Sequence, residues 1–299
     1  MITVSQANPR SPLGLDGNQQ TQRLDNEHQA EVLSFLSARP LHAFIMSSWI
    51  RDNGMASSFN RGNFYGYRNV QGQLEGVALI GHVTLFETKA DSAVAAFAKL
   101  TQNCSSARTV LSEQKKISQF LSYYTKESAQ PRLVCRESLM EKRNPENLNT
   151  VQSLRLARSE ELDLVVPIHA QTAFEESGIN PLDVDPSGFR KRCARRIEQR
   201  RVWVAIEDGR LKFKADIVSD TPSVIYLEGV YVSAEHRGNG YGARCMTQLT
   251  NHLLERTKSV CLLVNETNSA AQACYRKAGY EFREYYDTLY FQPPSALRN

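Results

Sequence analysis

Three glycines at every second position are the strongest local constraint in this sequence. Gly238, Gly240 and Gly242 lie in the stretch VSAEHRGNGYGARC, directly after Arg237. An apolar run typical of a strand precedes the stretch, and an apolar pattern with helical spacing follows it. Glycine inside a helix costs about 0.5–1 kcal/mol relative to alanine, so we infer that the backbone here must approach another group closely.

The glycine stretch is compatible with three structures. The first is a tight turn from strand to helix that binds no ligand. The second is a dinucleotide-binding turn, because Gly238, Gly240 and Ala243 satisfy G-x-G-x-x-A and Glu266 closes the next strand. That turn normally opens a doubly wound sheet, whereas here several elements precede it. The third is an R-x-x-G-x-G loop that begins at Arg237, whose bare N–H groups and helix N-terminus would hold a pyrophosphate.

A second motif favours the third structure. Asn268, Ala271, Tyr275, Gly279 and Tyr280 follow the spacing N-x-x-A-x-x-x-Y-x-x-x-G-[FY]. Together with the Arg/Gly loop and the strand that ends in VYV, this motif resembles the GNAT family of acetyl-CoA-dependent N-acetyltransferases. The resemblance covers residues 151–291. It implies the GNAT fold for the C-terminal half, an α/β structure with a mixed sheet in three αβα layers.

The resemblance also implies acetyl-CoA as co-substrate, with no metal. The main chain of the strand before the loop would bind pantetheine, and the loop would wrap the pyrophosphate. Asn268 would contact the pantetheine arm, although a helix cap without any ligand explains this residue equally well. The implied coenzyme-binding residues are Val230, Tyr231, Val232, Arg237, Gly238, Asn239, Gly240, Tyr241, Gly242 and Asn268.

Acetyl transfer to an amine needs a base for the ammonium group and an acid for the departing thiolate. By resemblance, Tyr275 is the candidate general acid and Glu228 the candidate general base. The alternatives are a tyrosine that packs under the last sheet and an ordinary cross-strand ion pair. Acids of the loop that borders the acceptor site in this fold would attract a cationic amine, unless they are simply solvated: Glu175, Glu176, Asp183 and Asp185.

The polar stretch EKRNPENLNT lacks apolar periodicity and is the best candidate for a linker. We therefore predict a flexible N-terminus over 1–25, an accessory domain over 26–141, a linker over 142–151 and a catalytic domain over 152–299. The N-terminal half contains no R-x-x-G-x-G motif. Its order of elements resembles the uncharacterised N-terminal domain of some bacterial tandem GNAT proteins, which implies a degenerate GNAT-like α/β domain.

Apolar periodicity predicts the helices and strands between these landmarks. After the linker, it predicts a helix over 160–174, kinked or ended early by Pro167, and then a loop over 175–188. An arginine-rich amphipathic helix follows, and a solvated basic face is favoured there over an RNA contact. In the N-terminal half, the patterns predict helices over 26–36, 91–100 and 114–124, and strands over 63–68, 74–81, near 109 and over 131–139.

The composition excludes several other classes of protein. With 36 basic and 32 acidic residues, the charge is too balanced to argue for nucleic-acid binding. The six cysteines contain no CxxC pair, which argues against a zinc site or a disulfide framework. No leader pattern and no long apolar span is present, so we expect a cytoplasmic protein without membrane contact. The sequence leaves a homodimer open.

Taken together, the patterns predict an N-acetyltransferase that transfers acetyl from acetyl-CoA to a primary amine by direct attack in a ternary complex. The acceptor amine is its expected partner, and the sequence does not identify it. The alternative is a catalytically silent acyl-CoA-binding sensor or interaction protein. A nicotinamide-dependent oxidoreductase is a third and more distant interpretation.

Overall fold

The computed structural model describes residues 20–124, 130–147 and 150–291. Twelve strands in this part of the chain form one continuous mixed sheet. Most of them are short runs in which buried and accessible side chains alternate or in which nearly every side chain is buried. The strands are β1 (Gln20–Arg23), β2 (Gly62–Arg68), β3 (Leu74–Gly81), β4 (Val83–Thr88), β5 (Thr109–Glu113), β6 (Leu133–Lys142), β7 (Leu154–Leu156), β8 (Val202–Glu207), β9 (Arg210–Asp220), β10 (Ile225–Val232), β11 (Val260–Asn265) and β12 (Glu281–Tyr290).

Helices cover both faces of the sheet, and the longer ones pack on it through an apolar side. Among the described residues, four α-helices belong to the N-terminal half and five to the C-terminal half. They are α1 (Gln29–Leu36), α2 (Phe44–Asn53), α3 (Asp91–Gln102), α4 (Gln114–Tyr123), α5 (Leu162–Ser177), α6 (Pro181–Val184), α7 (Pro186–Glu198), α8 (Tyr241–Leu254) and α9 (Ser269–Lys277).

The two halves of the chain exchange strands in the middle of the sheet. The strand order is β1-β2-β3-β4-β5-β12-β6-β11-β10-β9-β8-β7. Strand β6 therefore leaves the N-terminal half to pair with β11, and β12 leaves the C-terminal half to pair with β5. The two exchanged strands also pair with each other along most of their length. The sheet is completed only when both halves are present.

Separate apolar cores lie on the two faces. One core places α8 and α9 against β9, β10 and β11, and Leu227 belongs to it. Helices α1 and α2 pack on the opposite face, where Tyr226 of β10 joins their core. Successive side chains of a strand point to opposite faces, so Glu228 lies on the same face as Tyr226. Helices α5 and α7 complete that face over β8, and α3 and α4 cover the other face of the N-terminal half.

The structure confirms the mixed three-layer α/β fold and differs from the prediction at several elements. Strands β1 and β4 and helix α2 lie where no element was predicted. Residues 20–23 of the predicted flexible N-terminus form β1, and residues 1–19 lie outside the described residues. Helix α5 continues through Pro167 to Ser177. The predicted loop over 175–188 instead contains the end of α5, all of α6 and the start of α7, with Pro181 and Pro186 at first-turn positions that need no N–H donor.

Candidate active site

The glycine stretch forms the turn from β10 into α8, and its three glycines meet different requirements. Gly238 and Gly240 have positive φ angles of 77° and 81°, a region that side chains with a Cβ rarely adopt. Gly242 has an ordinary backbone, but a Cβ there would lie 2.9 Å from Cγ2 of Val232. The space beside Gly238 is open, with no atom within 4 Å of a Cβ built there. The stretch is therefore a close-packed turn with an accessible outer side.

The N-terminus of α8 presents polar groups at this turn. Arg237 is exposed and donates from Nε to the carbonyl oxygen of Val232 at 2.9 Å. Asn239 Oδ1 accepts the N–H of Tyr241 at 3.0 Å. The Tyr241 ring is buried in the core and contacts the ring of His236, with the ring centres 4.9 Å apart. A helix N-terminus carries a partial positive charge, and together with Arg237 it favours an anion.

Strands β10 and β11 separate next to the turn. Their parallel pairing covers only three positions of β10, from Ile225 to Leu227. Beyond Leu227, a bulge shifts the register of β10 against β9, and Gly229 within it has a φ of 56°. Bulges of this kind redirect a strand and are common beside active sites. The main chain of Val230 and Val232 therefore borders an opening between two strands, while their side chains pack against the α8–α9 core.

A buried ionic network lies under the bulge. Asp216 Oδ2 accepts from Lys214 Nζ at 2.8 Å and from Arg196 at 3.0 Å, and it lies 2.7 Å from His169 Nδ1. Lys214 Nζ also donates to the carbonyl oxygen of Gly229 at 3.2 Å. A side chain at position 229 would contact both Lys214 and Asp216, which explains why glycine occupies the bulge. Burial opposes ionisation of Asp216, but the surrounding cations hold its pKa well below the usual range.

Glu228 is adjacent to this network and lines a cavity between the two halves of the chain. Its side chain keeps some accessible surface, which fits a position on the cavity wall. Burial raises the pKa of Glu228, while the guanidinium of Arg196 opposes the rise. A carboxylate with a raised pKa is a stronger base once it is ionised, so Glu228 has the chemistry of a general base.

Tyr275 lies on α9 and also lines the cavity. It is 7% exposed, and its ring lies 6.0 Å from that of Tyr280. Within the described part of the chain, no hydrogen-bond partner is seen for its hydroxyl group. Burial raises the pKa of Tyr275, so the group stays protonated near neutral pH and can donate a proton.

The other predicted site residues lie in different surroundings. Asn268 is the N-cap of α9, where its Oδ1 accepts the N–H of Ala271 at 3.0 Å, and it also lines the cavity. Tyr231 is half-buried and packs against the core under α5. Of the predicted loop acids, Glu175 and Glu176 line the cavity. Asp183 lies in α6 away from the wall, and Asp185 caps α7 through the N–H of Gly188.

The cavity has a volume of about 1040 Å³ and is lined by both halves. Five carboxyl groups lie on its wall, and three of them repel one another: Glu228, Glu176 and Glu137, the last on the exchanged strand β6. Burial raises the pKa of Glu137 to about 7, and the nearby Glu228 adds to the rise. Burial and the other two carboxylates raise the pKa of Glu176 to about 8, although its side chain remains exposed on the wall. Like charges that share a cavity resist simultaneous ionisation.

The basic helix α7 corrects one expectation. Phe189, Cys193 and Ile197 form its buried side, as the periodicity predicts. The opposite side is not simply solvated, because Arg195 and Arg196 are half-buried and line the cavity. The helix therefore contributes cations to the site as well as to the surface.

Sequence patterns did not predict several residues of this site. Lys214 and Asp216 alternate with the apolar Phe213 and Ala215, so their shared face was visible in the sequence, but its burial was not. Glu137 gave no signal, because its strand had no recognisable link to the C-terminal motifs.

Within residues 20–124, 130–147 and 150–291, no group of three or more His, Cys, Asp or Glu side chains is placed to hold a metal ion. The helices described in the same ranges include none whose length and apolar character would let it cross a bilayer.

The mixed sheet, the separated central strands and the glycine turn define the class of GNAT-fold proteins. Residues 169–280 match the model of the acetyltransferase (GNAT) family. The C-terminal half of the chain therefore contains a GNAT domain. No curated protein sequence matches it.

Solved structures share the fold over nearly the whole chain. A Drosophila protein superposes with a TM-score of 0.63 at 12% identity, over 92% of this chain and 99% of its own. A tandem GNAT protein from the clavulanic acid biosynthesis pathway superposes with a TM-score of 0.56 at 13% identity, over 91% of this chain and 98% of its own. A GNAT-family acetyltransferase from Colwellia psychrerythraea superposes with a TM-score of 0.55 at 17% identity, over 91% of this chain and all of its own. The similarity of fold thus includes the N-terminal half.

Proposed function

We propose that this protein is an acetyl-CoA-dependent N-acetyltransferase that acetylates a primary amine by direct attack in a ternary complex. One observation carries the proposal. Val230, on the strand β10 that enters the glycine turn, lines the same cavity as Glu228 and Tyr275. A site for an anionic coenzyme and a suitable acid–base pair therefore lie close to one strand.

The residues at the turn fit the pyrophosphate of coenzyme A. Gly238 and Gly240 keep the main chain free of side chains, and Arg237 offers guanidinium N–H groups beyond its bond to Val232. We assign the pantetheine arm to the main chain of Val230, Tyr231 and Val232 and to the amide of Asn268. The loop residues Asn239, Tyr241 and Gly242 would contribute through their main chain or by holding the turn.

Acid–base chemistry follows from the two groups on the wall. Bound acetyl-CoA supplies an activated acetyl thioester. Glu228 accepts a proton from the acceptor ammonium, directly or through water, which frees the nitrogen lone pair for attack on the carbonyl carbon. Tyr275 donates its proton to the sulfur as the carbon–sulfur bond breaks, and the second proton lost by the nitrogen returns to the Tyr275 oxygen, directly or through water. The products are the N-acetylated amine and the free thiol.

The predicted division is into an accessory domain (26–141), a linker (142–151) and a catalytic domain (152–299). We further propose that these parts differ in their roles but do not form separate structural units. The accessory half brings its own strand β6 into the catalytic sheet. Its role would be to complete the sheet and to form one wall of the acceptor cavity.

Acetyl-CoA binding and turnover with a panel of primary amines test the proposal. At about 100 times its Kd, acetyl-CoA should stabilise the protein by about 2.7 kcal/mol in thermal denaturation. Tyr275→Phe and Glu228→Gln should each lower kcat about 100-fold, the lower end of the usual contribution of a general acid or base, and keep the acetyl-CoA stabilisation. Tyr285→Phe is the matched control, because Tyr285 is exposed and lies off the cavity wall.

The outcomes separate the enzyme from its alternative. Stabilisation by acetyl-CoA without release of thiol on any amine would identify a coenzyme-binding protein without catalysis. Equal activity of Tyr275→Phe, Tyr285→Phe and the unmodified protein would remove Tyr275 from the acid role.

A further inference from the structure

The cavity wall formed by the N-terminal half contains an arginine in an unusual backbone conformation. Arg61 has a φ of 52°, in the left-handed region that non-glycine residues avoid. Its N–H donates to the carbonyl oxygen of Ser58 at 3.1 Å, and its carbonyl oxygen accepts the N–H of His82 at 2.9 Å. A Cβ at Gly81 would collide with that same carbonyl oxygen, so the neighbouring strand keeps the space clear. Strained residues that the surroundings hold in place cluster at functional sites.

The positive charge of this wall is not balanced. Across the described residues, no carboxylate oxygen lies within 4.0 Å of the guanidinium of Arg61 or of Arg195, whereas the nearby Arg192 pairs with Asp185 at 3.1 Å. Burial and the charge of Arg192 lower the pKa of Arg61. Burial and the guanidinium groups of Arg61, Arg108 and Arg192 lower the pKa of His82 to about 4, so His82 is neutral near pH 7.

Arg195 is held in position without a counter-ion. Its guanidinium carbon lies 3.8 Å from the centre of the Phe59 ring, and its Nη2 donates to Oδ1 of Asn53 at 3.1 Å. A stacked guanidinium keeps free N–H donors in the plane of its fork, a geometry that matches carboxylates and phosphates. Arg195 comes from α7 of the C-terminal half and Arg61 from the N-terminal half, and both line the same cavity.

The wall of this cavity therefore contains groups of both charges. The carboxyl groups of Glu137, Glu176 and Glu228 suit an amine, and the two unpaired guanidinium groups suit an anion. If the proposed acetyltransferase function holds, the acceptor should carry both kinds of charge.

We propose that the acceptor is a small molecule that bears a carboxylate or a phosphate in addition to its primary amine, and that Arg61 and Arg195 bind this anionic group. The anion replaces the missing counter-ion of the two arginines. It also orients the acceptor, so that the amine points toward the carboxyl groups and the opening between β10 and β11.

Matched pairs of amines test this inference with acetyl-CoA as donor. β-Alanine is compared with n-propylamine, and O-phosphoethanolamine with ethylamine, by thiol release and by thermal denaturation in the presence of CoA. Each pair differs in one anionic group. We expect the anionic member to have a kcat/KM about 10–100 times higher and to stabilise the protein more, as charge-assisted hydrogen bonds would provide.

Arg61→Gly is the decisive variant. Glycine adopts a positive φ without strain, so the variant should fold at least as stably as the unmodified protein while losing the charge. It should lose most of the preference for the amine that carries the anionic group over its matched partner. Arg61→Lys should recover part of the preference. Arg51→Ala is the control, because Arg51 is exposed on α2 and does not line the cavity.

The outcomes distinguish this inference from the proposed function. If amines with and without the anionic group are bound and acetylated equally well, or if Arg61→Gly affects both alike, the anion site is refuted and the acetyltransferase stands. If β-alanine or O-phosphoethanolamine stabilises the unmodified protein but not Arg61→Gly, and no amine releases thiol, the anion site stands and the acetyltransferase does not. If no anionic amine is either bound or acetylated, the inference is wrong.

Discussion

The buried carboxyl group of Glu137 should make the protein less stable as the pH rises. Its pKa increases from an ordinary 4.5 to about 7 in the folded protein, mainly because of burial. Between these values the folded state holds a proton that the unfolded state has lost, so stability falls as the pH rises through this range. At 1.36 kcal/mol per pH unit, the full loss is about 3 kcal/mol. The accessible part of the side chain allows some screening, which leaves about 1–2 kcal/mol.

Glu137→Gln removes this penalty, because glutamine stays neutral at every pH and still offers an oxygen to the hydroxyl of Thr288, which donates to Glu137 at 2.5 Å. We expect the variant to match the unmodified protein at pH 5 and to exceed its free energy of unfolding by about 1–2 kcal/mol at pH 8. Urea denaturation at both pH values measures the difference. A variant that is less stable at pH 8 would refute the assignment of a raised pKa to burial.

Glu141 on the same strand is the matched control with the opposite sign. Burial acts on it as well, but its bonds to Arg283 and Arg143 at 2.8 and 2.9 Å outweigh burial and lower its pKa. Its ionised form therefore stabilises the fold, and this contribution is lost as the pH falls through the folded-state pKa. Glu141→Gln should destabilise the protein at pH 8. If the two variants respond to pH in the same direction, local charge does not control them.

Two further predictions concern the glycine turn and the buried network. Gly242→Ala should cost about 1–3 kcal/mol, because its Cβ forces Val232 to move, and it should weaken acetyl-CoA binding. Gly238→Ala should cost only the backbone strain of about 1–2 kcal/mol. Thermal denaturation of both glycine variants, with and without acetyl-CoA, measures these effects. Lys214→Met should cost about 3–5 kcal/mol because it leaves the charge of Asp216 less compensated. Adding Asp216→Leu should restore part of this stability in urea denaturation, and no recovery would contradict the ionic explanation.

The C-terminal fold could be predicted because its information is local. The glycine turn, the helix-capping Asn268 and the apolar run of β11 each depend on residues close in sequence. Helix α5 was harder: Pro167 and the prolines after Ser177 suggested interruptions, yet Pro167 lies in the second turn, and the later ones begin new helices. Strand β1 is short and polar, so it shows neither the helical nor the strand periodicity of apolar residues. Its position depends on pairing with β2.

The candidate site was predictable only on the side where its motifs lie. Glu228 and Tyr275 could be proposed from sequence because each stands at a fixed distance from a motif. Arg61 could not, since its significance arises from a positive φ and from the absence of a nearby carboxylate, which are properties of the folded chain. The same is true of Gly229, where a φ of 56° and the approach of Lys214 to the strand both favour glycine.

The exchange of strands explains why the acceptor side escapes a sequence-based prediction. β6 and β12 each pair with a strand from the other half, so the wall of the cavity is assembled from segments more than a hundred positions apart. Glu137 reaches the C-terminal site through its own strand, and Arg61 faces the same cavity from the end of the N-terminal sheet. A domain boundary in the linker separates these residues in sequence but not in space. An accessory half that merely supported the catalytic one would not need to place charged groups on this wall, which is why we assign it a part in choosing the acceptor.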